Sequence, residues 1–410
     1  MKRFNEFLTE ADANLHMTHL EDAVIDGGVT GTRNVINYLR ALRDMLSGNT
    51  TAPVSLTTKW DGAPAIFAGT DPSDGKFFVA KKGVFNKSPK LYKTNAEIDN
   101  DLSGELNSKF KVALKEFAKL GIEGVVQGDF LYTNDDLKTE DIDGESCVTF
   151  HPNTIVYAVP KTSDLGKKIS GSKIGVVWHT TYAGSTLETM SASFGMAIST
   201  KLAKVKNVWH VDATFEDKSG SATMTKTETD NLTAMLSKAG SIFRTVDAKI
   251  LNELGTNADL NQKINTFINS KVRDGQRIGG VAAFVTDLQK YIQQYYQKEA
   301  DKRKTPAGKK TQMDKATAVL AIFDKKNKRK LQQIFTLYDL LVDMKYVIIA
   351  KLNTVGGIRT LLKTTKGFEV TGQEGFVAID HYGKNALKIV DRMGFSQANF
   401  SDKYIKGWQK

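Results

Sequence analysis

The chain reads as an α+β protein: antiparallel sheets with flanking helices, interrupted by a large all-helical insertion. Three observations predict this. Short runs rich in β-branched and aromatic residues, bounded by Gly, Pro and Asp, dominate from about residue 54 to 185. Apolar residues at helical spacing dominate from about 222 to 355. Strand signals then return near 367, in GFEVTGQEGFVAID and ALKIVDR. The expected division is a leader over 1–18, a mixed domain over 19–221 and 356–410, and a helical domain over 222–355.

The elements follow in order. RNVINYLRALRDML places Val35, Ile36, Leu39, Leu42 and Leu46 on one helical face, after an entry at Gly27, Gly28 and Gly31. GGVTGTR lacks the Gly-Lys-Ser/Thr ending of a phosphate-binding loop. VSLTTKWDGAPAIFAG and KFFVAKKGVF read as strands around an Asp-Pro-Ser-Asp-Gly turn. A helix through ELNSKFKVALKEFAKLG leads to a strand, EGVVQGDFLYT. NDDLKTEDIDGES reads as a solvated hairpin loop, since it lacks a calcium-loop register. TFHPNTIVYAVP and SKIGVVWHTTYAG read as two more strands, with a Gly/Ser/Lys loop between them. Four long helical patterns then fill the insertion.

Composition narrows the function. A hydrophobic share of 40% and a charged share of 25% are those of a soluble globular chain, and no apolar run is long enough to span a membrane. The single cysteine, Cys147, excludes intramolecular disulfides and a cysteine-rich zinc site. His16 and His19 have no further histidine or cysteine nearby and read as ordinary polar residues. A net charge of +11 favours a polyanionic partner.

The chemistry centres on Lys59-Trp60-Asp61-Gly62. A lysine leaving an apolar strand beside an acid can serve as a covalent nucleophile. Attack on a nucleoside triphosphate needs a neutral amine, so burial or nearby cations should lower its pKa. It also needs cations for the phosphates and a carboxylate for a divalent metal. Lys81, Asp129, Trp178 with His179, Glu374 and Lys388 supply such groups in order along the predicted strands.

That order resembles the covalent nucleotidyltransferase superfamily of ATP-dependent DNA ligases, RNA ligases and mRNA capping enzymes. The resemblance covers roughly residues 54–185 and 367–400. KWDG is similar to the nucleotide-accepting lysine motif, which makes Lys59 the AMP carrier, with Asp61 beside it and Gly62 at the nucleotide. KKGV resembles the Ser-Arg-x-Gly element, with Lys81 in the arginine's place. QGDF resembles the Gly-Glu element, with Asp129 as a ribose or metal contact. VVWHTTYAG resembles the aromatic strand, with Trp178 stacking on the base. EGFV is similar to the Glu-Gly-x-Val motif, with Glu374 binding metal. ALKIV resembles the closing Lys-x-Lys motif, with Lys388 its first lysine. Three positions depart from the pattern. Val390 replaces the second lysine, leaving Lys388 or a neighbour such as Lys384. Thr57 stands where many ligases carry an adenine-reading glutamate. Asp129 is one methylene short of glutamate.

The resemblance implies an adenylation domain that uses ATP with magnesium or manganese. It implies a monomeric ligase that seals nicked duplex DNA or a DNA/RNA hybrid through lysyl-AMP. RNA repair, or a catalytically inactive DNA-binding head protein, is the alternative reading. About twenty residues follow Lys388, too few for an OB-fold, which disfavours capping. The grip on nucleic acid then falls to the basic insertion. Its runs hold Lys302, Arg303, Lys304, Lys309, Lys310, Lys325, Lys326, Lys328, Arg329 and Lys330. The first residues, MKRFNEFLTEADA, are not a secretory signal. They resemble the leaders of phage internal head proteins, with Leu8-Thr9-Glu10 as the cut site. This implies the host cytoplasm or the phage head as location.

Overall fold

Alternating apolar residues build strands wherever the sequence carries them between turn signals. The computed structural model describes residues 18–48, 54–194, 197–214, 223–353, 358–380 and 386–408. In chain order the first elements are α1 (Asp22–Leu46), β1 (Val54–Lys59), β2 (Ala65–Thr70), β3 (Phe77–Ala80), α2 (Asn95–Asp101) and α3 (Gly104–Phe117). Next come β4 (Val125–Thr133), β5 (Lys138–Ile142), β6 (Glu145–Phe150), β7 (Ile155–Pro160), α4 (Asp164–Ser170), β8 (Ile174–Ala183), β9 (Ser191–Phe194) and β10 (Val208–Asp212). The helical stretch is α5 (Lys226–Thr245), α6 (Ala248–Thr256), α7 (Ala258–Arg273), α8 (Val281–Asp301), α9 (Pro306–Leu320) and α10 (Lys328–Leu352). The chain closes with β11 (Arg359–Thr364), β12 (Gly367–Val370), β13 (Gly375–Asp380), β14 (Ala386–Val390) and α11 (Arg392–Phe400).

The α+β class holds. The strands form three sheets, ordered β1-β13-β14, β10-β8-β4-β2-β3 with β9 on β8, and β12-β11-β7-β6-β5. The pairings are antiparallel except β10 with β8. The period of two sorts β13 cleanly. Phe376 and Ala378 face a core shared with the helices, while Val377 and Ile379 face the second sheet. The cleft between these two sheets holds the candidate site. On its far side, Ile66, Val126, Phe130 and Val176 pack the second sheet onto Phe110 and Phe117 of α3. The third sheet joins through a separate cluster that includes Tyr132, Phe150, Tyr157 and Trp209.

The helices of the insertion begin close to the expected change of pattern near 222. Thr225 and Glu228 form a reciprocal capping box at the start of α5. The helices do not stand apart. Leu331, Phe335 and Met344 share one core with Phe376 and Ile389 of the first sheet. α1, expected with the mixed domain, packs on α5, α6 and α10 as well as on β1. It also kinks at Gly28 (φ 54°), where the sequence suggested only a helix entry.

Two loop expectations change as well. NDDLKTEDIDGES supplies β5 and the first two residues of β6, its hairpin partner, and TFHPNTIVYAVP is split between β6 and β7 by a turn at 151–154. The loop expected before β8 contains α4. Among the described residues no helix is long and apolar enough to cross a membrane. The leader with Leu8-Thr9-Glu10, His16 and Lys384 lies outside the described residues.

Candidate functional site

Each residue of KWDG goes a different way. Lys59 ends β1, pairs in register with Gly375, and turns its amine into the cleft. There it forms an ion pair with the Glu374 carboxylate, the lysine side chain 26% exposed and the glutamate 9%. Trp60 points to the opposite side and packs on Tyr157, ring centroids 5.0 Å apart. The Asp61 carboxylate is buried away from the cleft. It accepts hydrogen bonds from the Asn153 side chain (2.6 Å) and from the backbone N–H groups of Thr154 and Ile155 (2.7 Å each). The Asp61 N–H donates to the Tyr157 hydroxyl at 2.7 Å. Asp61 thus anchors the β6–β7 turn and fixes the backbone that carries Lys59. The sequence reading made it catalytic; the structure makes it a positioning residue. Gly62 is required by contact, since a Cβ there would lie 2.5 Å from the Asp129 Cβ.

The cleft has a volume of about 370 Å³. Its charged groups are Lys59, Lys82, Lys388 and Asp129, with His179 beside them. His179 Nε2 lies 3.8 Å from Asp129 Oδ1, and its Nδ1 meets the Thr180 hydroxyl at 2.7 Å. Its apolar walls are Val377 and Ile379 on one sheet, and Phe67, Tyr182 and Phe194 on the other. Thr57 lines the cleft as well, and so does Gln127.

The electrostatics of Lys59 reverse the sequence expectation. Burial disfavours its charge, but Glu374 in contact, with Asp129 and Asp61 nearby, outweighs burial and raises its pKa. The amine therefore rests as an ammonium. Burial lifts the Glu374 carboxyl to about 7 against the pull of Lys59, with Asp61 and Asp129 adding to the rise. The Lys388 pKa is lowered, by burial first and then by repulsion from Lys59.

Two sequence assignments are overturned by side-chain direction. Lys81 does not line the cleft; it points outward to Asp101 at 3.4 Å, and its neighbour Lys82 lines the cleft instead. β3 ends at Ala80, so strand alternation no longer decides where the next lysines point. Trp178 is wholly buried and packs edge-on against Phe117, centroids 5.3 Å apart, on the α3 side of the sheet. It cannot stack on a base in the cleft. Gly128 admits that packing, since a Cβ there would meet Trp178 Cε3 at 2.7 Å. The cause of the misassignment is a β-bulge. Gln127 pairs with Thr180 but Gly128 pairs with Trp178, so His179 has no partner across the strand. The extra residue shifts the alternation and turns Tyr182 toward the cleft. Alternation counted from Trp178 would have sent Tyr182 to the core.

Other assignments fall together. Thr57, Lys59, Asp129 and Lys388 line one cleft, and Glu374 reaches it through Lys59. Val390 is buried, so no second cation enters from β14. Lys82, from the opposite sheet, supplies one. Sequence reasoning missed Lys82, Gln127, Tyr182 and Phe194. Adjacency to Lys81 was the one available pointer among them.

Over residues 14–404 the sequence matches the model of a family described as a family of unknown function (DUF6267). The chain belongs to that family. No curated protein and no solved structure matches it.

In this DUF6267 chain the basic residues of the insertion flank the α8–α9 turn, α9 and the start of α10. Most are exposed. Lys302 pairs with Glu299 at 2.5 Å, Lys310 with Asp314 at 2.7 Å and Lys330 with Asp247 at 2.8 Å. Among the described residues no ion pair engages Arg303, Lys304, Lys309, Lys325, Lys326, Lys328 or Arg329. Those seven cations are the ones left for an external anion.

Proposed function

We propose that this protein is an ATP-dependent polynucleotide ligase working through a lysyl-AMP intermediate. One observation carries the reading. Three lysines and two carboxylates meet around Lys59 in a cleft that also has aromatic and aliphatic walls. Cations suit a triphosphate, and flat apolar walls suit a base.

In the first step the Lys59 nitrogen forms a bond to the α-phosphorus, and the bond to pyrophosphate breaks with its electron pair leaving on pyrophosphate. The ammonium proton must go first. Drawing Glu374 away from Lys59 removes its main support for that proton, and Lys388 pushes the same way. Lys82 and Lys388 offset charge on the phosphates. Asp129 and Glu374 fit magnesium or manganese: hard oxygen donors, two in number, beside a phosphate site. Among the described residues no group of three or more His, Cys, Asp and Glu could hold a metal ion, so the donor set suits an ion that keeps waters. The ion would supply charge neutralisation on the phosphates.

In the second step a 5′-phosphate oxygen attacks the same phosphorus and the lysine nitrogen leaves. In the third a 3′-hydroxyl attacks the 5′-phosphate, and AMP departs. The seven cations of the basic runs named above would hold the strand backbone. Nicked DNA is the first choice of substrate, with nicked RNA strands the runner-up.

The test is incubation with α-labelled ATP and magnesium followed by a denaturing gel. Covalent label on the wild type that disappears in Lys59→Ala is expected. No label, or label that survives the substitution, would overturn the enzyme and leave a nucleic-acid-binding protein. Sealing of nicked DNA against nicked RNA then fixes the strand.

A further inference from the structure

The cleft contains a polar device that the nucleotide-transfer reading does not use. The Tyr182 hydroxyl donates to Gln127 Oε1 at 2.6 Å. Burial raises the pKa of the Tyr182 phenol, which stays a donor. Tyr182 is itself held by rings, its centroid 4.4 Å from Phe85 and 6.0 Å from Phe67. The Gln127 oxygen is therefore engaged by Tyr182, and Gln127, which lines the cleft, keeps its amide N–H groups for a further partner.

Resting on the nucleotide-transfer reading, we propose that Gln127, oriented by Tyr182, reads the base of the bound nucleotide as a hydrogen-bond donor to a purine ring nitrogen. A donor here recognises N7, which adenine and hypoxanthine share. It does not recognise the exocyclic amine, which would need an acceptor. Of the side chains that could accept, Asp129 and Glu374 are committed to the surroundings of Lys59, and the His179 ring meets the Thr180 hydroxyl on one nitrogen and faces Asp129 on the other. The Thr57 hydroxyl, on the facing sheet, both donates and accepts, so it does not separate an amine from a carbonyl. The site therefore accepts purine nucleoside triphosphates with either group at C6.

The experiment uses full-length protein and the α,β-methylene analogues of ATP and ITP, which bind without being able to transfer the nucleotide. Calorimetric affinities of the two within about tenfold are expected, as for a site with no polar group built for the amine. Gln127→Leu should weaken both alike, on the order of 5- to 150-fold for a lost hydrogen bond. Tyr182→Phe should leave the fold intact and change the ATP-to-ITP ratio, because the amide is then free to turn its oxygen outward. A wild-type preference for the ATP analogue above about tenfold overturns the proposal. So does Gln127→Leu that spares either nucleotide, or binding of neither. Labelling of Lys59 by authentic ATP, run in parallel, separates the two ideas. Binding of both analogues without label sinks transfer and keeps the base reading. Label with a strong ATP preference does the reverse.

Discussion

Two lysine–glutamate pairs of this protein, one beside the cleft and one in the interior, differ in their surroundings. Lys59 and Glu374 meet at the edge of the cleft, with the lysine side chain 26% exposed and two more lysines lining the same space. Lys345 of α10 and Glu21, just before α1, meet at 2.6 Å with 1% and 3% exposure. Arg392 completes the second group, reaching Asp22 at 2.7 Å and Glu21 at 3.3 Å. The sealed group has balancing charges on every side. The open pair has surplus cation and a space about the size of a small ligand. Burial alone does not single out a lysine as a site candidate; burial beside unbalanced charge and open volume does.

The largest expected effect separates the pairs outright. Lys59→Ala should abolish covalent labelling, a loss on the order of 10⁴-fold or more for a removed nucleophile. It should leave stability nearly unchanged, because burial already lifts the Glu374 carboxyl to about 7 and it can take up a proton once the ammonium is gone. Urea unfolding beside the labelling assay checks both halves. A large stability loss would erase the distinction between the pairs.

The sealed pair should respond the other way. Lys345→Ala strands a buried carboxylate and should cost about 3–5 kcal/mol in urea unfolding. The double variant Glu21→Gln with Lys345→Met should recover most of that, since a packed neutral pair replaces a desolvated one. Failure of the double variant to recover would mean that the network holds more than its own charges.

Lys82 sharpens the comparison inside the cleft. Lys82→Ala should lower the labelling rate by about 10²–10³, the effect of removing one preorganised electrostatic partner. Lys81→Ala should change it only a few-fold, as its amine points to Asp101. Equal losses would place both amines on the phosphates.

That neighbouring pair also shows how far the sequence could be read. The mixed α+β class, the strand-rich and helix-rich stretches, KWDG and EGFV were legible because local patterns carry them: strand composition, turn residues and helical period. The change to helical spacing near 222 marked the start of the helices to within a few residues, since α5 begins at Lys226. Lys82 for Lys81, and Tyr182 for Trp178, were not legible. Each depends on side-chain direction where regular alternation stops, at the end of β3 and at the His179 bulge. Asp61 was misread because its partners, Asn153 to Ile155, are about ninety residues away. The sealed network was invisible for the same reason, since it joins residues 21, 345 and 392.

The smallest predicted effect probes that network from the strand beside the cleft. His19 lies in the segment that pairs with β14, where the Lys388 N–H donates to the Thr18 carbonyl (3.0 Å) and the Leu20 N–H to the Lys388 carbonyl (2.9 Å). Burial, then Arg392, lowers its pKa from 6.5 to about 3. Between those values the unfolded chain binds a proton that the folded chain refuses, so stability rises with pH. The contribution is complete above pH 6.5 and is lost as pH falls toward 3, by up to about 1.4 kcal/mol per pH unit. His19→Asn should reduce that acid slope, measured by urea unfolding at pH 4 and pH 7. The variant should not alter the pH dependence of Lys59 labelling, because His19, its pKa lowered to about 3 by burial, carries no charge in the folded protein over that range. A shift in the labelling profile would show that the sealed and open charge groups act as one.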